Sequence, residues 1–216
     1  MIPKDKKTSQ IIYSICVSGA AYGPTIDSSR KKAEELGREI ARRGQTLTTG
    51  ATVGLPFFAA VAATKMGGKS IGFSPAVSLR EHLRKYRLPF KCYDFINFTG
   101  MHYVGRDLYL VQSSDAVITI GGRFGSLHEF TSALENNKPC GVLLGSGGTA
   151  DWIPKLMDNL EPPHRDLVLY SHDPEELIDM IIKKLDEKYS DLNEHLKNHD
   201  EFWYLDDKDL GSPHSG

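Results

Sequence analysis

Short runs of aliphatic and β-branched residues alternate along most of this chain with longer stretches whose apolar positions recur every three or four residues. The short runs occupy residues 11–18, 46–49, 69–73, 93–98, 116–120, 139–144 and 167–170, and each predicts a strand. Val117, Ile118 and Ile120 lie in a run without charge, as a strand covered on both faces requires. The longer stretches predict helices. In the first, Asp27 or Ser28 is placed to cap, Ala33, Leu36, Ile40 and Ala41 share a face, and Gly44 stops the helix. Further helices are predicted over 57–65, 101–113, from Ser126 through Leu134, near 152–160 and over 174–188. Residues 74–92 break the pattern with prolines and the basic cluster Arg80, Arg84, Lys85, Arg87 and Lys91, and read as an irregular surface excursion with a solvated face.

Strands alternating with helices of this length predict right-handed crossovers and an α/β fold, a Rossmann-like doubly wound parallel sheet in three α/β/α layers. One such domain is expected over residues 1–188, followed by a charged tail over 189–216 in which Phe202, Trp203 and Tyr204 are the residues able to dock onto the body. Three predicted strands run directly into small-residue loops, beginning at Gly19-Ala20, at Gly50 to Gly54, and at Gly121-Gly122. Ligands of such sheets bind at the carboxyl ends of the strands, so the three loops are expected to converge on one crevice.

The third loop carries the most specific chemistry. Gly121-Gly122-Arg123-Phe124-Gly125-Ser126 joins the 116–120 strand to a helix for which Ser126 is the candidate cap. Glycines allow a sharp turn and close backbone approach. The following helix start offers unpaired N–H groups and the positive end of a dipole, an arrangement that holds phosphate. Glu129 falls one turn into the helix, within reach of a sugar on that phosphate. The plainer reading is a tight turn with no ligand, with Glu129 merely favouring the helix dipole; three converging loops are what favour the phosphate site.

Composition narrows the partners. The 216 residues are 40% hydrophobic and 25% charged, with 26 Lys plus Arg against 28 Asp plus Glu. That balance supplies no positive field for nucleic acid or an anionic membrane, and single-stranded DNA binding is disfavoured on the same ground. No segment approaches the run of about 18 apolar residues of a membrane span, and the start Met-Ile-Pro-Lys-Asp-Lys-Lys lacks the pattern of a secretory signal. A cytoplasmic protein is expected. Cys16, Cys92 and Cys140 are odd in number and widely spaced, and read as reduced thiols in or near core strands. His195 and His199 are four apart without the glutamate of a His-Glu-x-x-His zinc site, so no metal site is expected.

The order of these motifs resembles the LOG family of the SLOG superfamily, long labelled lysine decarboxylases. The resemblance spans about residues 11–187 and rests on Gly50-x-x-x-Gly54-Leu55, on Arg106 nine residues before Asp115, and on Gly-Gly-Arg-Phe-Gly-Ser-Leu-His-Glu. It implies a Rossmann-like homodimer that cleaves the N-glycosidic bond of a nucleoside 5′-monophosphate, releasing base and ribose 5-phosphate without a cofactor. Against the family signature Pro-Gly-Gly-x-Gly-Thr-x-x-Glu, Gly122 matches the first glycine, Gly125 the third and Ser126 the threonine. Glu129 matches the glutamate and Arg106 the arginine used beside it in catalysis. The implied phosphate contacts are Gly19, Ala20, Gly50, Gly54, Gly121, Gly122, Arg123, Phe124, Gly125 and Ser126. Tyr22, His102 and His128 are candidates to line the cleft or cover the base.

Two departures point elsewhere. Gly121 stands in the place of the proline and Arg123 in that of a glycine. A turn opening Gly-Gly more closely resembles the sister group of molybdenum-cofactor carrier proteins, which implies a cleft that holds a nucleotide or molybdopterin without hydrolysing it. Both classes remain open from the residues alone. The decarboxylase label gains nothing, since no lysine lies in these loops to form the Schiff base with pyridoxal phosphate.

Overall fold

The computed structural model describes residues 11–198. Seven parallel strands form one sheet: β1 (Ser14–Gly19), β2 (Thr46–Thr49), β3 (Lys69–Ser74), β4 (Phe95–Phe98), β5 (Ala116–Ile120), β6 (Cys140–Leu143) and β7 (Val168–Ser171). Their spatial order is β4-β3-β2-β1-β5-β6-β7, so the chain winds outward from β1 in one direction, then returns to begin again at β5. The switch point lies between β1 and β5, where Cys16 pairs with Val117 and Gly19 with Ile120. In doubly wound sheets the crevice opens at this point.

Helices cover both faces. One layer consists of α1 (Thr25–Arg42), α2 (Leu55–Lys65) and α7 (Pro174–Lys188), whose Leu36, Ile40, Ala59 and Ile181 share a core with Ile15, Val17 and Ile118. The other contains α4 (His102–Gln112), α5 (Phe124–Glu135) and α6 (Gly148–Leu160), whose Leu110, Phe130 and Ile153 pack with Cys16, Val117 and Val142. Alternation along β1 and β5 therefore sends successive side chains into two different cores, and neither strand face meets water. All three cysteines are free and buried; desolvation pushes the thiol of Cys140 up to about 12 and that of Cys92 to about 11. No helix among the described residues is long and apolar enough to cross a membrane.

Several element boundaries differ from the sequence expectation: α1 starts at Thr25 behind Pro24, so neither Asp27 nor Ser28 is its cap, and three further differences have local reasons. The 74–92 excursion contains a short helix, α3 (Leu79–Arg84). Ser78 caps it by accepting from Glu81 N, and Glu81 reaches back to accept from Val77 N at 2.8 Å, a reciprocal capping pattern legible as Ser-x-x-Glu. His82 inside it is buried between Ser74 Oγ (2.8 Å) and the Pro89 carbonyl (2.9 Å), which ties the basic segment to the end of β3. Helix α6 starts at Gly148, four residues before Trp152, because Thr149 N donates to Gly122 O (3.1 Å) and Ala150 N to Gly121 O (2.9 Å). Helix α5 starts at Phe124 with Arg123 at the N-cap, so Ser126 is the third helical residue and not the cap.

After α7 the chain continues as α8 (Ser190–Asn198), where Asn193 Nδ2 donates to the Tyr13 hydroxyl at 3.2 Å. Phe202, Trp203, Tyr204 and His199 lie outside the described residues.

Candidate phosphate-ligand site

The loops after β1, β2 and β5 meet over the switch point around a cleft of about 280 Å³. Gly19, Ala20, Gly50, Arg106, Arg123, Gly125, Ser126 and Glu129 all line it. Gly54, Gly121 and Gly122 do not. Gly54 has φ 82°, and a β-carbon there would overlap Ala20 O, which accepts from Leu55 N at 2.9 Å. This glycine thus lets the second loop close against the first. Gly122 has φ 95°, and its missing side chain leaves space for Ser126 Oγ, so it shapes the turn from beneath. Phe124 points away from the cleft and is 88% exposed.

The anion-binding part is the start of α5. Its first intrahelical bond is Leu127 N to Arg123 O at 3.0 Å. The N–H groups of Phe124, Gly125 and Ser126 precede that bond and have no carbonyl one turn back to donate to. Gly125 projects no side chain into the mouth, and a β-carbon there meets nothing within 4 Å. Arg123, at the N-cap, adds a guanidinium able to pair with phosphate oxygens.

At the floor lies a buried charge cluster. Arg106 reaches from α4 through the space that Gly50 leaves, since a β-carbon at Gly50 would overlap its Nη1. Its Nη1 stands 3.3 Å from Asp107 Oδ1 and 3.6 Å from Glu129 Oε1. Its Nε is buried without a partner among the described residues. The Ser18 hydroxyl, at the end of β1, donates to Glu129 Oε2. Asp107 also faces His128, with Nδ1 to Oδ2 at 3.4 Å. One guanidinium is thus shared by two carboxylates, all three nearly removed from water.

That sharing sets the protonation. Burial, and after it the Asp107 carboxylate, pushes the Glu129 carboxyl up to about 7, while Arg106 and the Ser18 hydroxyl oppose the shift incompletely. A neighbouring arginine ordinarily keeps a carboxylate ionised. In the structure desolvation and the second carboxylate outweigh that attraction, so near neutral pH the ligand-free side chain is divided between acid and carboxylate.

Tyr22 and Tyr103 line the mouth and are 62% and 47% exposed. His102 has its Nδ1 2.8 Å from the Tyr86 hydroxyl and, like His128, does not line the cleft. Sequence reasoning passed over Ser18 and Tyr103 and gave Asp107 no role in the site. Ser18 could have been found from its place at the end of the predicted first strand; Asp107 follows Arg106 directly, but on a helix adjacent residues diverge by about 100°, so nothing in the sequence brings both to one guanidinium. Among the described residues no group of three or more His, Cys, Asp or Glu side chains is disposed to hold a metal ion.

Comparison with known proteins agrees with this architecture. An uncharacterised protein of Archaeoglobus fulgidus is 31% identical over 130 residues, covering 59% of this chain and 77% of that protein. Among solved structures, the molybdenum cofactor binding protein of the phototrophic bacterium Rippkaea orientalis is 31% identical, with TM-score 0.66 over 82% of this chain and 99% of that one. The molybdenum cofactor carrier protein of Chlamydomonas reinhardtii is 27% identical, with TM-score 0.65 over 80% of this chain and 98% of its own. The SLOG cluster4 family model matches residues 12–178, spanning all seven strands, the three loops and the buried cluster, and the chain belongs to that family.

Proposed function

We propose that this protein binds a phosphate ester of a nucleotide or molybdopterin and carries or senses it without cleaving it. The observation that carries this reading is the state of Glu129. An N-glycosidase develops positive charge on the ribose, and a carboxylate stabilises that charge only while it is ionised and beside the sugar. Here the carboxyl is buried, bonded by Ser18 and crowded by Asp107, and is held up to about 7. A bound phosphate brings one more anion and favours its neutral form further. As an acid or as a shared carboxylate, Glu129 is suited to hydrogen-bonding a hydroxyl or ring N–H. Arg123 in the turn supports the same reading, because a cation fixed beside the phosphate favours retention.

The second reading is the phosphoribohydrolase, and the Arg106–Glu129 approach of 3.6 Å favours it. Incubation with a panel of nucleoside 5′-monophosphates, with chromatography for free base, separates the two. The carrier reading expects binding and no base. Release of base that falls roughly a hundredfold in Glu129→Gln, the scale of one lost electrostatic contact, would establish the hydrolase instead.

We also propose a two-fold symmetric homodimer. Met101, Val104 and Leu108 recur on one face of α4 and are 47%, 69% and 48% exposed, an apolar stripe beside the cleft-lining Tyr103. Light scattering at micromolar concentration should give twice the chain mass; the monomer mass removes the proposal.

A further inference from the structure

Arg123 belongs to two cavities. Besides the cleft, it lines a groove of about 560 Å³ whose walls are α5 at Phe124 and Leu127 and α6 at Trp152, Leu156 and Leu160. The groove is almost wholly apolar, and its large side chains are left in water: Phe124 is 88% exposed, Leu160 67% and Trp152 66%. Phe124 directly follows Arg123 in the turn that offers N–H groups to a phosphate. An exposed ring at that place adds nothing to the core and leaves a hydrophobic surface beside an anion site.

The groove is fixed to the phosphate turn. Thr149 Oγ1 donates to Arg123 O at 2.8 Å, Thr149 N to Gly122 O at 3.1 Å and Ala150 N to Gly121 O at 2.9 Å. The first turn of α6, the glycine turn and the start of α5 are therefore one hydrogen-bonded unit. Lys155 Nζ lies 5.3 Å from the centre of the Trp152 ring, and neither it nor Arg123 has an acidic partner among the described residues. Aromatic rings thus stand on both sides of one anion site: Tyr22 and Tyr103 at the cleft, Phe124 and Trp152 at the groove. In volume the cleft alone falls below the roughly 300–1,000 Å³ of small-molecule sites, whereas cleft and groove together fall within it.

We propose that the cleft and the groove are two compartments of one site, and that its ligand is of the dinucleotide class, with two ring systems joined through a pyrophosphate. One ring enters the cleft, the pyrophosphate lies on the first turn of α5 against Arg123, and the second ring packs on Phe124 and Trp152. The proposal rests on the phosphate-ligand reading of the cleft and names the size and chemistry of what the cleft receives.

Calorimetry on the full chain with adenosine 5′-monophosphate and with diadenosine pyrophosphate tests it. The expected result is tighter binding of the two-ringed ligand, and a loss of about tenfold or more in that affinity for Trp152→Ala, with mononucleotide affinity unchanged. Trp152 is largely exposed, so the variant should fold; far-ultraviolet circular dichroism and a melting curve verify this. In a Trp203→Phe background Trp152 is the remaining tryptophan, and its fluorescence should respond to the two-ringed ligand alone. Equal affinity of the two ligands, or equal losses for both in Trp152→Ala, overturns the proposal and leaves the cleft reading standing. A dimer that Trp152→Ala converts to monomer overturns it as well, by showing that a second copy covers the groove. If neither ligand binds, the cleft reading falls and this proposal with it.

Discussion

The cleft and the groove share Arg123 yet were built by opposite means. The cleft is the smaller, about 280 Å³ against about 560 Å³, and it is made by removing side chains: Gly125 leaves the mouth open, Gly50 makes room for the Arg106 guanidinium, and the charges of Arg106, Asp107 and Glu129 lie nearly out of water. The groove is made by leaving large apolar side chains exposed between two helices, with its cations at the margin. Size therefore does not mark the chemistry. Desolvation does: burial in the charge cluster raises the Glu129 carboxyl, and such shifts concentrate where ligands are handled.

The largest effect separating the two regions is expected from Gly125→Val. Gly125 is helical, not in the left-handed region, and a β-carbon there meets nothing within 4 Å, so the fold should tolerate the side chain. The branched group would instead occupy the space above the free N–H groups of α5. Affinity for inorganic phosphate or a nucleoside monophosphate should fall by roughly a hundredfold or more, since the backbone amides no longer reach the anion. Calorimetry checks the affinity and a thermal melt checks the fold. Unchanged affinity would remove the α5 start from the site and dissolve the contrast between a polar cleft and an apolar groove.

The two regions were also unequally legible in the sequence. The strand runs and glycine loops announce the cleft, because parallel strands carry their apolar signal in consecutive residues and the turns after them require small residues. Arg106 and Glu129 were reachable through motif spacing. The groove was not, since Trp152, Leu156 and Leu160 read as the buried face of an ordinary amphipathic helix, and periodicity records that a helix has an apolar face without recording what covers it. Helix α6 also begins earlier than its pattern suggests, because the bonds that start it run to Gly121 and Gly122, on the far side of α5 and β6 in the chain. The protonation of Glu129 was not legible for the same reason. Arg106 was visible as a neighbouring cation, but the full burial of Glu129 and the turn of Asp107 toward the same guanidinium belong to tertiary packing.

A further expected effect bears on the cleft through that protonation. In the unfolded chain Glu129 ionises near 4.5, and in the folded, ligand-free protein at about 7, because burial and Asp107 outweigh Arg106 and Ser18. A carboxyl raised in this way favours folding, relative to its ionised form, fully below the unfolded value, and that contribution is lost as pH climbs through 4.5 toward 7 and beyond. The full difference corresponds to about 3 kcal/mol, from roughly 1.4 kcal/mol for each tenfold change in proton affinity. Glu129→Gln keeps a side chain of the same shape that accepts from Ser18, and carries no proton to lose. Denaturant unfolding of both proteins at pH 5 and at pH 8 should therefore show wild type falling relative to the variant by on the order of 2–3 kcal/mol. The remaining ionisable groups are common to both proteins, so their contributions cancel in the comparison. Parallel stability profiles from pH 5 to pH 8 would mean that Glu129 is ionised throughout. Glu129 would then be a stable anion beside the sugar site, and the hydrolase reading would regain the carboxylate it needs.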